Sequence, residues 1–249
     1  MINYMKSEYY RLLRKKGLHL TGIICFLLIA SAAGVLYFTA QSDPNFRYGT
    51  STFFYSNVIA SGLLIIIIGL LYNIALTGKD RYLIKQAISF GISRRIIFWS
   101  KLILTLSYFL FICIVGICLM ILLGDNLLTH EHHAIRHFLM ASVNMIPIVL
   151  SGFFLVHTLK MLKVGEIFII IIVSIIFGFL GDLLHLLLRP FTALDELYKY
   201  APDTMLNDNL MSFVNDTPEL GFQYWIVGLV ISGVSLLIGA KLFAKQNID

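Results

Sequence analysis

The chain has 249 residues, 58% of them hydrophobic and 13% charged, with a mean hydropathy of +0.84 and a formal net charge of +5. Apolar stretches and their connections nearly exhaust that length, which excludes a separate soluble domain and leads us to expect one polytopic domain over 1–249. The net charge calls for no nucleic-acid partner, because an uneven distribution of cations across a membrane and their attraction to anionic lipid account for it.

In chain order, residues 2 to 16 place Ile2, Met5, Tyr9, Leu12 and Leu13 at helical spacing among Asn3, Lys6, Ser7, Arg11, Arg14 and Lys15. The pattern predicts an interfacial amphipathic helix within 1–17, its apolar stripe sunk in one leaflet and its cations at the lipid phosphates. Gly17 is the expected bend into the first span. Six stretches then reach the ~20 apolar residues that a membrane-crossing helix requires. They are Leu18 to Thr39, Thr52 to Leu76, Ile96 to Leu123, Phe138 to Leu159, Val164 to Leu188 and Gly221 to Phe243. Runs such as Leu63 to Ile68 lack the in/out alternation of a barrel strand, so the expected fold class is all-α integral membrane. Fifteen of the nineteen Lys and Arg fall on the side of the N-terminus, which predicts that both termini are cytoplasmic. Cys25, Cys113 and Cys118 lie inside spans without a CxxC pair and read as small buried hydrophobes.

The loop from Thr77 to Lys101 is far longer than a turn between spans two and three requires. Leu83, Ile84, Ala87 and Ile88 mark one face of a short helix, Gly91 is suited to stop it in a left-handed cap, and Ser93 to start the next helix at Arg94-Arg95-Ile96. Such a helix can lie on the membrane or insert into a partner's groove. The apolar corner of Phe90, Gly91 and Ile92 between basic flanks favours the partner.

The amphipathic start from Tyr4 to Lys16, the loop Thr77-Gly78-Lys79 followed by Ile84 to Arg95, the nearby Lys101, and the ending Phe243-Ala244-Lys245-Gln246-Asn247-Ile248-Asp249 carry a resemblance that spans the chain in order. The chain resembles the type-2 permease subunits of bacterial ABC exporters, especially the small permeases of antimicrobial-peptide and lantibiotic export and immunity. Where that family's loop commonly has an acidic residue before an Asn-Gly-Thr-like turn, this chain has Thr77-Gly78-Lys79 with Asp80 after it. The resemblance implies a cytoplasmic coupling loop over 77–95, with Leu83, Ile84, Ala87, Ile88, Phe90, Gly91, Ile92, Arg94 and Arg95 docking on a separate ATPase. It also implies an assembly of two ATPases with two permeases, identical or homologous, in the bacterial cytoplasmic membrane. The exported substrate would be an amphipathic or antimicrobial peptide or a similar lipophilic compound. No GxxxxGK[ST] occurs, so ATP and Mg are expected on the partner and neither cofactor nor catalytic residue on this chain.

Beyond that loop, Thr129 to His137 holds four His and a Glu. These residue types admit either a metal site or a solvated outer loop sensitive to pH, and the loop is the simpler reading because Arg136 repels a cation and no HExxH is present. Asp182, His185 and Arg189 share a helical face at the end of span five, where they can line the outer part of a pathway or mark the span's boundary. The segment 189–220 contains Pro190, Pro202 and Pro218, and its periodicity suggests two short helices, one with Phe191, Leu194, Leu197 and Tyr198, the other with Met205, Leu206, Leu210 and Phe213. The resemblance implies that they dip back into the outer leaflet. Asp195, Glu196, Asp203, Asp208, Asp216 and Glu219 give this rim an acidic balance. The spacings Ala30/Gly34 and Gly228/Ser232 permit close helix packing within or between subunits. An ion-coupled secondary transporter or channel is the alternative reading. An intramembrane enzyme is disfavoured, since no GxSxG or HExxH occurs and Asp182 with His185 lacks a nucleophile.

Overall fold

The computed structural model describes residues 2–77, 81–191 and 194–246. Gly78, Lys79 and Asp80 of the loop motif and the ending Asn247-Ile248-Asp249 lie outside the described residues, as do the side chains of Ile2, Arg81 and Asp195.

Helix α1 (Ile2–Leu13) lies ahead of α2 (Lys16–Ser42), the first span. The bend between them falls at Arg14 and Lys15, where Lys15 is extended, and not at Gly17, which already belongs to α2. The second span is broken into α3 (Ser51–Ala60) and α4 (Gly62–Thr77), which meet at 58°. Its composition alone reads as one continuous run. At the break the Ser61 amide donates to the Val58 carbonyl in a tightened turn, and the Ser61 hydroxyl donates to the Asn57 carbonyl. Gly62 then leaves room for Leu206, which a Cβ at that position would meet at 3.0 Å.

After α5 (Arg81–Ser89) comes α6 (Arg94–Leu127), whose 34 residues extend well beyond the hydrocarbon thickness. The fourth span, α7 (Ala134–Met161), is the most buried of the unbroken ones and sits at the centre of the bundle. Span five consists of α8 (Glu166–Ser174), a π-helical turn (Ile175–Phe179) and α9 (Leu180–Leu188). A 3-10 turn (Asp195–Tyr200) and α10 (Pro202–Val214) follow, and α11 (Phe222–Lys245) is the last span. Five unbroken spans plus the bent pair make an all-helical membrane-type bundle, with no strand among the described residues.

Three apolar clusters stacked along the bundle reveal the alternation of the spans. Ile84, Ala87, Ile97, Phe98, Met161 and Phe243 gather α5, the start of α6 and the ends of α7 and α11 at one end, which also carries most of the cations and is called the basic end below. Phe54, Tyr55, Met120, Phe138 and Phe213 close the opposite end. There a bridge between Thr50 and Thr129 ties the loop before α3 to the loop before α7. Between the two lies the largest core, built around Ile66, Phe109, Ile148 and Phe153.

Small residues place α11 against α7. Gly228, Ser232, Ser235 and Gly239 form its buried stripe, and a Cβ at Gly228 would lie 2.5 Å from the Pro147 carbonyl oxygen. The Gly228/Ser232 spacing is therefore used within one subunit. Gly34, by contrast, has open space around it, so the Ala30/Gly34 spacing makes no close approach inside the subunit.

Candidate functional site

At the basic end, the corner read from the sequence is formed as expected. Gly91 is left-handed at φ +80°, and the Gly91 and Ile92 amides donate to the Ile88 and Ala87 carbonyls, closing α5 in a Schellman-type cap. Ser93 caps α6 by accepting from the Ile96 amide. The orientation of α5 differs from the expected docking face. Ile84 and Ala87 are buried, and with Ile88 and Ile92 they pack on Phe98, Met161 and Phe243. The apolar stripe is consumed by the protein's own core, because the ends of α6, α7 and α11 would otherwise leave those side chains uncovered. Facing outward are Tyr82 (74% exposed), Leu83 (36%) and Phe90 (75%). Arg94 is partly buried and donates to the Ala244 carbonyl at 2.9 Å, tying α6 to the end of α11, while Arg95 is exposed.

Beneath α5 lies a buried charge cluster. The Glu8 carboxylate (5% exposed) accepts from Lys101 Nζ at 3.1 Å and from Arg11 Nη2 at 2.7 Å, and Lys101 is 0% exposed. Both cations also donate to the Leu76 carbonyl. That carbonyl belongs to the last turn of α4, where acceptors lack helical partners and the helix dipole favours positive charge. One carboxylate and one helix end thus join α1, α4 and α6. Burial, followed by the Glu8 carboxylate beside it, pushes the Tyr4 phenol above its ordinary range. The apolar stripe of α1 is consequently divided: Leu12 is inside the bundle and Met5 is half-buried, whereas Tyr9 and Leu13 stay exposed. Arg14 stays exposed too, its guanidinium 4.2 Å over the Tyr10 ring. Nearby, Asn73 donates to the Gly69 carbonyl, so its oxygen accepts from the Nδ1–H of fully buried His157 at 2.8 Å.

The middle of the bundle holds a cavity of about 320 Å³ between α2, α3, α4, α6 and α7, next to the break in span two. Cys25, Asn57, Tyr72, Phe109, Cys113 and Ser142 are among its lining residues. The lining includes no Asp, Glu, Lys, Arg or His among the described residues.

At the opposite end, α10 is the second predicted short helix, and it buries Met205, Leu206 and Phe213 while Leu210 packs at its edge. The first predicted helix is instead a 3-10 turn that leaves Phe191, Leu194 and Leu197 exposed. Polar contacts clamp α10. Both oxygens of Asp203 accept from the Gly181 amide at 2.9 Å, satisfying a donor released by the π turn. Asn209 donates to the Ala141 carbonyl, and Asn144 links Asn209, the Glu219 carbonyl and the Gly221 amide. Among the described side chains, three of the rim's acids are engaged: Asp203 in this way, Asp216 with His137 at 2.6 Å, and Glu196 with Lys199 at 2.9 Å.

Asp182, His185 and Arg189 are exposed. The His185 ring packs edge-on against Tyr198, with centroids 4.8 Å apart, and none of the three lines the cavity. In the loop before α7 and its first turn, His130 pairs with Asp125, His137 with Asp216, and His132 meets His133 edge-on. The first two contacts direct the Nδ1 atoms of His130 and His137 toward separate carboxylates.

The chain matches no protein-family model and no curated protein. Several residues central to this geometry escape a reading based on composition. Glu8 had a signal, being the sole acid in the first 42 residues. Lys101, a lone cation several residues into an apolar run, had another. Tyr72, Ser142 and the Asn73–His157 pair had none, because their importance depends on which spans face each other.

Proposed function

We propose that this chain is the membrane-spanning permease subunit of an ATP-driven exporter, and that a separate ATPase subunit docks on the corner formed by α5 and Gly91. The observation that carries this reading is a helix held on one side by the bundle and bare on the other. Ile84, Ala87 and Ile88 root α5 in the ends of α6, α7 and α11, while Tyr82 and Phe90 project outward. A load applied to those two rings passes directly to three spans, and Arg94 and the Glu8–Lys101 cluster stiffen the same region. The resemblance to type-2 ABC permeases supports the same assignment, with two permeases, two ATPases, and ATP and Mg on the partner. In this reading the basic end faces the cytoplasm of a bacterium, and the exported cargo is an amphipathic peptide or another membrane-partitioning compound.

The test is affinity purification of the solubilised chain from its native host, comparing wild type with the double variant Tyr82→Asp/Phe90→Asp. Ile88→Asp is unsuited because Ile88 belongs to the protein's own core. An ATPase recovered with wild type and lost with a monodisperse double variant is the expected outcome. If a well-folded wild-type chain brings down no ATPase, the reading is wrong, and the ion-coupled transporter becomes the leading alternative.

A further inference from the structure

We propose that the cavity is a binding site within a single subunit for an uncharged lipophilic molecule bearing a hydroxyl or carbonyl oxygen, oriented by Tyr72 and Ser142. The inference is independent of whether an ATPase partners the chain.

Three observations converge on it. First, two lining hydroxyls are buried without hydrogen-bond partners among the described residues: Tyr72, which is 1% exposed, and Ser142, which is 4% exposed. An unpaired buried hydroxyl is costly, and a ligand oxygen relieves that cost. The lining side chains of Asn57 and Ser61 differ in that each already donates a hydrogen bond within its own helix. A lone water is a poor substitute because it needs two to four polar partners.

Second, among the described residues the wall carries no Asp, Glu, Lys, Arg or His, so a charged group entering would lose its hydration without gaining a counter-ion. That selects neutral molecules, or the neutral part of a larger one. Third, the shape and position suit a ligand arriving from the bilayer. Lining residues run from Leu64 to Tyr72 on α4 and from Phe109 to Met120 on α6, about 12 to 16 Å at a helical rise. The volume of about 320 Å³ falls at the lower end of small-molecule pockets. Leu28, Leu64 and Ile146 line it while also being exposed on the perimeter of the bundle, which leaves a lateral entrance.

The experiment uses the full chain in phosphatidylcholine nanodiscs and three photoactivatable diazirine probes. They are a hexadecanol analogue, a permanently charged hexadecyltrimethylammonium analogue, and a phosphatidylcholine labelled on its acyl chain. Adducts are mapped by mass spectrometry. The alcohol is expected to give saturable adducts on cavity residues of α4 and α6, displaced by unlabelled hexadecanol, with the charged probe at least tenfold weaker. Tyr72→Phe and Ser142→Ala should each raise the competition midpoint by about 2- to 10-fold, the worth of one neutral hydrogen bond. Ile68→Trp should abolish cavity adducts while leaving unsaturable ones at exposed Leu229 unchanged. Should Ile68→Trp fail to fold, the two hydroxyl deletions, which barely change volume, report on the same midpoint. The proposal is overturned if the phospholipid chain labels the cavity as strongly as the alcohol, if the charged probe competes equally, or if neither hydroxyl deletion shifts the midpoint.

Discussion

Replacing Glu8 with Gln isolates the energetic role of the buried charge cluster. The substitution preserves shape but leaves Lys101, at 0% exposure, facing a neutral amide. Removing one partner of a buried ion pair typically costs about 3–5 kcal/mol. Two features of this site reduce that figure. Lys101 still donates to the Leu76 carbonyl, and the Arg11 side chain, at 20% exposure, can turn toward water. We therefore expect Glu8→Gln to lower stability by about 2–3 kcal/mol. Lys101→Met alone should cost less, about 1–2 kcal/mol, because Glu8 keeps Arg11 at 2.7 Å. The double variant should lose at least about 1 kcal/mol less than the sum of the two. Reversible unfolding in mixed micelles measures all four corners of this cycle, and amide exchange in α1 reports whether the helix detaches. Additivity of the two substitutions to within about 0.5 kcal/mol would refute the claim that one carboxylate couples α1 to α6.

Other perturbations probe the remaining contacts. Gly228→Ala should destabilise by about 2 kcal/mol or more, since its Cβ would press on the Pro147 backbone, whereas Gly34→Ala, with open space around it, should be neutral or slightly stabilising; the same unfolding titration separates them. Asp203→Asn should cost about 1–2 kcal/mol and raise hydrogen exchange at the Gly181 amide and through α10, and unchanged exchange there would remove the carboxylate's capping role. Burial holds the Asp208 carboxyl above its ordinary range, so the folded state favours its neutral form. Asp208→Asn should therefore raise the melting temperature slightly at neutral pH, and the gain should vanish below about pH 4, where the acid is protonated in both states.

The sequence alone determined the existence and approximate limits of the apolar helices. A helix in hydrocarbon must satisfy its own backbone, so about 20 apolar residues declare a span without knowledge of its neighbours. The Gly91 stop and the Ser93 start were legible for a similar reason, since a left-handed cap and an N-cap are local events. Tertiary structure decided everything that depends on which face meets which. It turned Ile84, Ala87 and Ile88 inward and left Tyr82 and Phe90 to face outward. It broke span two at Ser61 and seated Leu206 against Gly62. It drew Asp203 out of an acidic rim to cap α9, and set the His185 imidazole against the Tyr198 ring. In a uniformly apolar sequence the rotation of each helix is nearly invisible, because lipid and protein interior reward the same side chains. The few polar groups that report it, Glu8, Lys101, Tyr72 and Ser142, acquire their meaning only from residues tens of positions away.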